Sequence, residues 1–216
     1  LQYAVASQKA NGVRTTTSSI PLFFKRDSWG LTDIASYDVT DHFRIRNIFG
    51  YRSDREQPAF DYDGSFLPIL DISNPRAWES QSLQVTDEFQ LQGESDDNSV
   101  HWIAGYYHEL DHPDGYAEVQ RDTFGGYSGG SPLGSTEIDA LSNGGTSDAA
   151  FGQASWAVTD ALTLTAGARY TWDHKVADTS ICFLPSMYYV SCPFPIPNSP
   201  LYGSAHETAN FHAPTW

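Results

Sequence analysis

The sequence predicts an all-β fold: an antiparallel, up-and-down sheet forming a segment of a transmembrane β-barrel. Three observations carry this. First, apolar and polar residues alternate with period two, which is a strand signature and excludes a helical stripe. The clearest case is Ala161 to Trp172, where Leu162, Leu164, Ala166, Ala168, Tyr170 and Trp172 share one face and Thr163, Thr165, Gly167, Arg169 and Thr171 the other. Second, short and long connections alternate strictly. Joins near residues 38–42, 94–99 and 159–160 are short, while 53–80, 110–146 and the tail 175–216 are long. This puts every turn at one edge and every loop at the other, as in outer-membrane barrels. Third, aromatic residues make up 14% of a chain with no run of 18 apolar residues. The missing run removes a transmembrane helix and says nothing against alternating transmembrane strands.

Taken in order, residues 1–28 carry little pattern. LQYAVAS fits a short strand, KANGVRTTTSSIP a polar loop, and Phe23-Phe24 takes no assigned role. The first hairpin spans about 29–52: a weak strand from Trp29 to Tyr37, a turn at 38–42, and a stronger strand with Phe43, Ile45, Asn47, Phe49 and Tyr51 opposite Arg44, Arg46, Ile48, Gly50 and Arg52. The second spans 81–109. Leu83, Val85, Phe89 and Leu91 face one way, with Asp87 as the polar exception, and Gln84, Thr86, Glu88, Gln90 and Gln92 face the other. In its second strand Trp102, Ala104, Tyr106 and His108 oppose His101, Ile103, Gly105 and Tyr107, so aromatics stand on both faces. The third hairpin spans 147–174, with its turn at Thr159-Asp160; Trp156 lies with Ala150, Gly152, Ala154 and Val158 near that turn. The connection 53–80 is acidic and aromatic, 110–146 is Gly/Ser-rich, and 175–216 is a Pro-rich tail.

Composition narrows the partners. Lys+Arg number 12 against Asp+Glu 27, a net charge of −15, which opposes attraction to nucleic acid or an anionic membrane surface. Cys182 and Cys192 lie in the Pro-rich tail. Their spacing suits a local disulfide in an oxidising compartment, with free thiols as the alternative, and lacks the paired close ligands of a zinc motif. The acids Asp54, Glu56, Asp61, Asp63 and Asp71 match no calcium loop. No metal and no cofactor is expected.

In hydrocarbon every backbone polar group needs a partner, so spanning strands must close into a barrel. Leu162, Leu164, Ala166 and Ala168 then face lipid, with Tyr170 and Trp172 in the outer aromatic girdle. Arg44, Arg46, Glu88 and Arg169 face the lumen, where the arginines can pair with Glu88 or with carboxylates of a plug. About six recognisable strands cover only part of a wide circumference. The chain therefore reads as a fragment, or as an eight-stranded barrel completed by its two ends. Its start, LQYAVASQ, has neither an initiator Met nor a signal peptide and reads as processed or internal.

FGQASWAVTDALTLTAGARYTWDHK closely resembles the strand-turn-strand segment common in TonB-dependent outer-membrane receptors. ASYDVTDHFRIRNIFGYRS and SLQVTDEFQLQGESDDNSVHWIAGYYHE resemble two earlier hairpins of that family, in the expected order. The resemblance implies a 22-stranded barrel with a plugged lumen, in the outer membrane of a Gram-negative bacterium. It implies uptake of a scarce small molecule such as a ferric siderophore, energised by TonB. Partners would be outer-membrane lipid and lipopolysaccharide, and, through the full-length protein, the plug domain and the TonB complex. Residues 1–216 match a partial barrel domain without the plug. Tyr62, Phe66, Trp78, Tyr116 and Tyr127, on the long connections, are the candidate substrate contacts.

Three other readings stand beside this one. His101, His108, His112, Asp111 and Asp114 cluster in sequence, yet HELDHPD is not the HExxH helix motif, and neither a nucleophile elbow nor a phosphate loop is present. No enzyme is expected. A soluble all-β carbohydrate-binding module and a passive porin remain the alternatives.

Overall fold

The computed structural model describes residues 2–12, 14–67, 70–73, 80–122, 135–184 and 202–216. They form one helix, α1 (Gln2–Asn11), and eight strands: β1 (Phe23–Thr40), β2 (Phe43–Asp61), β3 (Leu70–Ser73), β4 (Ser80–Glu94), β5 (Val100–Asp122), β6 (Ser135–Thr159), β7 (Leu162–Leu184) and β8 (Tyr202–Thr215). All strands belong to one antiparallel sheet with the order β1-β2-β3-β5-β6-β7-β8, and β4 also lies between β2 and β5. β4 pairs with β2 from Phe43 to Glu56, and β3 with β2 from Ala59 to Asp61. β3 and β4 are therefore two stretches of one strand position.

The strands outrun the sequence expectation. β2 continues to Asp61, β5 to Asp122, and β6 begins at Ser135, so much of 53–80 and 110–146 is paired strand. The tail likewise contains the end of β7 and all of β8. The physical reason is that these extensions do not have one apolar and one polar face. Backbone pairing still satisfies their N–H and C=O groups, but the alternation that reveals a half-buried strand fades. The amino-terminal stretch expected as a strand is helical instead. Ala, Gln and Lys favour the helix, and Gly12, at φ 86°, ends it with its N–H on the Gln8 carbonyl at 3.0 Å.

Two tight turns share the tripeptide Val-Thr-Asp and one device. In Val39-Thr40-Asp41-His42 and Val158-Thr159-Asp160-Ala161 the threonine hydroxyl accepts the N–H two residues on, at 3.3 Å in both. The second turn is thus centred on Asp160-Ala161, with Thr159 paired to Leu162, one residue later than expected. The third short connection, Ser95–Ser99, contains Asn98 in the left-handed region at φ 57°.

Register sorts the side chains into two faces. Ala35, Asn47, Phe89, Tyr106, Ala150 and Tyr170 occupy one row across the sheet. Ser36, Arg46, Gln90, Gly105, Phe151 and Arg169 occupy the next row, on the opposite face. The first face is apolar and uncovered: Trp29, Leu31, Tyr37, Trp156, Leu164 and Trp172 are all exposed. Among the described residues the buried apolar side chains are only Ala59 and Ala149. A soluble sandwich buries such a face under a second sheet; here the sheet is a single layer.

Candidate functional site

The face opposite the apolar band holds the candidate site. Alternation on β2 aims Arg44, Arg46 and Arg52 to this side, β4 adds Glu88, Gln90 and Gln92, and β7 adds Arg169. Arg44, Arg46, Glu88 and Arg169 therefore share one wall. The expected pairing of the arginines with Glu88 is not formed: Arg44 and Arg169 have nearer partners, and Arg46 has no ion pair. Arg44 Nε donates to Asp38 at 2.5 Å across the β1–β2 hairpin. Arg169 Nε donates to Thr171 Oγ1 at 3.2 Å, and its guanidinium lies 5.3 Å from the Tyr107 ring centre. Tyr107 Oη donates to Glu109 at 2.5 Å. Glu88 accepts from Gln90, whose own Oε1 accepts from Gln92 Nε2 at 2.8 Å. Arg46 Nε is buried and has no hydrogen-bond partner.

Among the depressions in this wall, two hold ion pairs. One, of about 390 Å³ at the short-turn end, includes Asp38, His42, Arg44, Glu94 and His101. There Glu94 is clamped by two histidines: His42 Nδ1 at 3.3 Å and His101 Nδ1 at 3.4 Å. The other, of about 610 Å³ towards the long-connection end, includes Arg26, Gly30, Gly50, Arg52, Asp54 and Gln84. Gly30 and Gly50 open it by leaving the wall without side chains there. A Cβ on Gly50 would stand 2.5 Å from Thr86 Oγ1. Arg26 is tied to Asp54 and, at 3.4 Å, to Glu56. Arg52 makes no hydrogen bond or ion pair among the described residues, though it lies close enough to Asp54 for their charges to attract. Sequence reading counted Arg52 among the wall arginines without singling it out. Pairing a guanidinium with two neighbouring glycines needs the register, Gly30 opposite Arg52 and Gly50 opposite Thr86.

Of the candidate substrate contacts, Tyr62 and Phe66 lie on the connection from β2 to β3, 61% and 45% exposed. That connection is held by Asp61, whose Oδ1 accepts the N–H of Asp63 at 3.1 Å and of Gly64 at 2.9 Å. Its Oδ2 accepts the N–H of Ser19 at 2.8 Å. Tyr116 is placed by its backbone, opposite Ser80 on β4. Trp78 and Tyr127 lie outside the described residues, as does Cys192. The backbone of Cys182 sits between Ile138 and Tyr202. Of the acids of 53–80, Asp61 and Asp71 stand opposite each other and both accept from Ser19, while among the described residues no three acids, histidines or cysteines could hold a metal ion. His101 and His108 fall on opposite faces, His108 on Asp148 at 2.7 Å.

Comparisons with known proteins agree with this geometry. The family described as TonB dependent receptor-like, beta-barrel, matches residues 3–214. The crystal structure of the ferric yersiniabactin uptake receptor FyuA from Yersinia pestis is similar in fold, with a TM-score of 0.62 at 13% identity. That match covers 89% of this chain and 25% of FyuA, so the chain spans about a quarter of the length of that receptor. No curated protein sequence matches.

Proposed function

The chain belongs to the TonB-dependent receptor-like β-barrel family, and from that premise we propose that it forms part of the barrel wall of an outer-membrane receptor for TonB-energised uptake of a scarce small molecule. The observation that carries this is the single-layer sheet with an uncovered apolar face and a charged opposite face. In a bilayer the first meets lipid and the second lines a wet lumen. The two open edges, on β1 and β8, are closed by further strands of the same barrel, because hydrocarbon offers unpaired backbone no partner. Outer-membrane phospholipid and lipopolysaccharide surround the apolar face. The short turns face the periplasm, and the long connections face outward.

In this reading a plug domain fills the lumen and meets TonB. The buried Arg46 Nε takes an acceptor from that plug, because an unpartnered buried donor is costly. The depression at Arg26, Arg52 and Asp54 faces the substrate as it passes, and an anionic chelate such as a ferric siderophore suits the guanidinium of Arg52, which has hydrogen-bond donors to spare. Tyr62, Phe66, Trp78, Tyr116 and Tyr127 contact the substrate at the outer mouth. The siderophore assignment takes support from FyuA, described as a ferric yersiniabactin receptor.

The test is iron-limited growth of cells whose only siderophore receptor is the one carrying this chain. Growth that depends on both TonB and Arg52 is expected. Growth at full rate without TonB would make the protein a passive porin. Failure to fractionate with outer membranes would remove the barrel reading altogether.

A further inference from the structure

We propose that the apolar face carries a binding site for the sugar headgroup of an outer-leaflet glycolipid, built from Tyr106, His108, Asp148 and Trp172. The inference rests on the outer-membrane reading above, which sets the long-connection end of the sheet at the outer leaflet. On β5 these positions follow Trp102 and Ala104 on the lipid-facing side, and on β6 Asp148 follows the outward run Trp156, Ala154, Gly152 and Ala150. Where alternation calls for apolar groups, the chain supplies a phenol, an imidazole and a carboxylate.

The register brings them together. His108 stands opposite Asp148, which stands opposite Trp172; in the adjacent row Tyr106 stands opposite Ala150, which stands opposite Tyr170. Tyr106 Oη donates to Asp148 Oδ1 at 2.6 Å, and His108 Nδ1 lies 2.7 Å from the same oxygen. Both contacts converge on Oδ1, and among the described residues nothing bonds Oδ2. Asp148 is thus held in place with one acceptor oxygen open. Trp172 is 45% exposed and tilts against Tyr170, their ring centres 4.7 Å apart.

Depth selects the occupant. Asp148 and Trp172 lie about ten residues beyond the β6–β7 turn, which for strands tilted by about 40° is a rise of roughly 25 Å. That is the height of the lipid-facing apolar band, so the cluster stands where acyl chains give way to headgroups. Aromatic rings with polar tips suit that boundary. Tyr106 and Trp172 present ring faces to the C–H face of a pyranose, and Asp148 Oδ2 accepts a sugar hydroxyl, a charge-assisted bond. Between the rings Ala150 keeps the floor low for the first carbons of the acyl chain. No Lys or Arg shares this face in these rows, so the contacts fall on the hydroxyls and ring face of a sugar and leave any phosphate of the same headgroup turned away from Asp148.

The test uses the receptor carrying this chain, in phosphatidylethanolamine/phosphatidylglycerol nanodiscs doped with lipopolysaccharide, with bound lipids read by native mass spectrometry. Asp148→Asn combined with Tyr106→Phe, and separately Trp172→Leu, are expected to lower lipopolysaccharide occupancy about fivefold or more. Phospholipid adducts should be unchanged, and Leu164→Ala, lower on the same face, should leave occupancy intact. Unchanged occupancy in variants that keep heat-modifiable migration overturns the proposal. So does a preference of the site for phosphatidylethanolamine, or an equal loss of every lipid. A receptor that never inserts into the nanodiscs overturns the outer-membrane reading and this site with it.

Discussion

The guanidinium of Arg169 on β7 stands 5.3 Å from the centre of the Tyr107 ring on β5, reaching across β6. It can do so because Ala149, the β6 residue opposite Tyr107, is small; it is fully buried. A cation–π contact of this kind contributes about 0.5–1 kcal/mol when exposed. A double-mutant cycle with Arg169→Gln and Tyr107→Leu in the complete receptor should therefore give a coupling energy of about that size in urea unfolding. Additive single losses would mean that the two side chains do not meet.

Gly105 lies under the Phe151 ring on the polar face, and a Cβ there would come 2.5 Å from the ring and 2.7 Å from the Phe89 carbonyl oxygen. The carbonyl belongs to the paired strand β4 and cannot step aside. Gly105→Ala should cost about 1–3 kcal/mol. Gly152 is the matched control, since its nearest neighbour would be the Ile103 carbonyl at 3.7 Å. There Ala fits, and removing a flexible strand glycine should be neutral or slightly stabilising. Equal losses at both positions would refute the packing assigned to Phe151.

The β4–β5 turn should loosen in acid. Hydrogen bonds from the Ser95 and Ser99 side chains and the Ser99 N–H hold the Asp97 carboxyl at about 2, below its ordinary 3.8. A depressed carboxylate favours the folded turn above the unfolded value, and that contribution is lost as pH falls through the folded one. The protection of the Ser99 amide, measured against its intrinsic exchange rate, should fall between about pH 4 and pH 2, and Asp97→Asn should remove most of that change. A profile identical in the two proteins would assign the acid response elsewhere.

Much of this fold was legible in the sequence, and the rest was hidden for identifiable reasons. Alternation over Ala161–Trp172 marked the strand and its two faces, because apolar and polar residues keep to opposite sides through that stretch. The extensions of β2, β5 and β7 were illegible because neither face of theirs has a uniform environment. The motif Val-Thr-Asp shows the limit of local reading. It makes a turn at 39–41 and at 158–160, yet Val85-Thr86-Asp87 runs through the middle of β4, paired to Tyr51, Gly50 and Phe49. Tertiary pairing decides which copy bends. Of the candidate site, Arg44, Arg46, Glu88 and Arg169 were placed on one wall by parity alone. Their partners were not, since Asp38 and Thr171 become neighbours through hairpin register and rotamer. The Tyr106–Asp148–His108 cluster went unread because aromatics occupy both faces of β5.

The central claim is that the apolar face of this sheet meets lipid and its opposite face meets water, and adjacent residues on β7 test it most directly. Ala166 lies on the apolar face, opposite Ala154, and Thr165 on the other, its hydroxyl 2.9 Å from Ser155 Oγ. The measurement is the unfolding free energy of the complete receptor in bilayers for Ala166→Arg and for Thr165→Arg. An arginine near the bilayer midplane on the lipid face should cost about 2–4 kcal/mol. On the wet face the substitution should cost about 1 kcal/mol, the loss of one neutral hydrogen bond. Equal costs, or the larger cost at Thr165, would contradict the account.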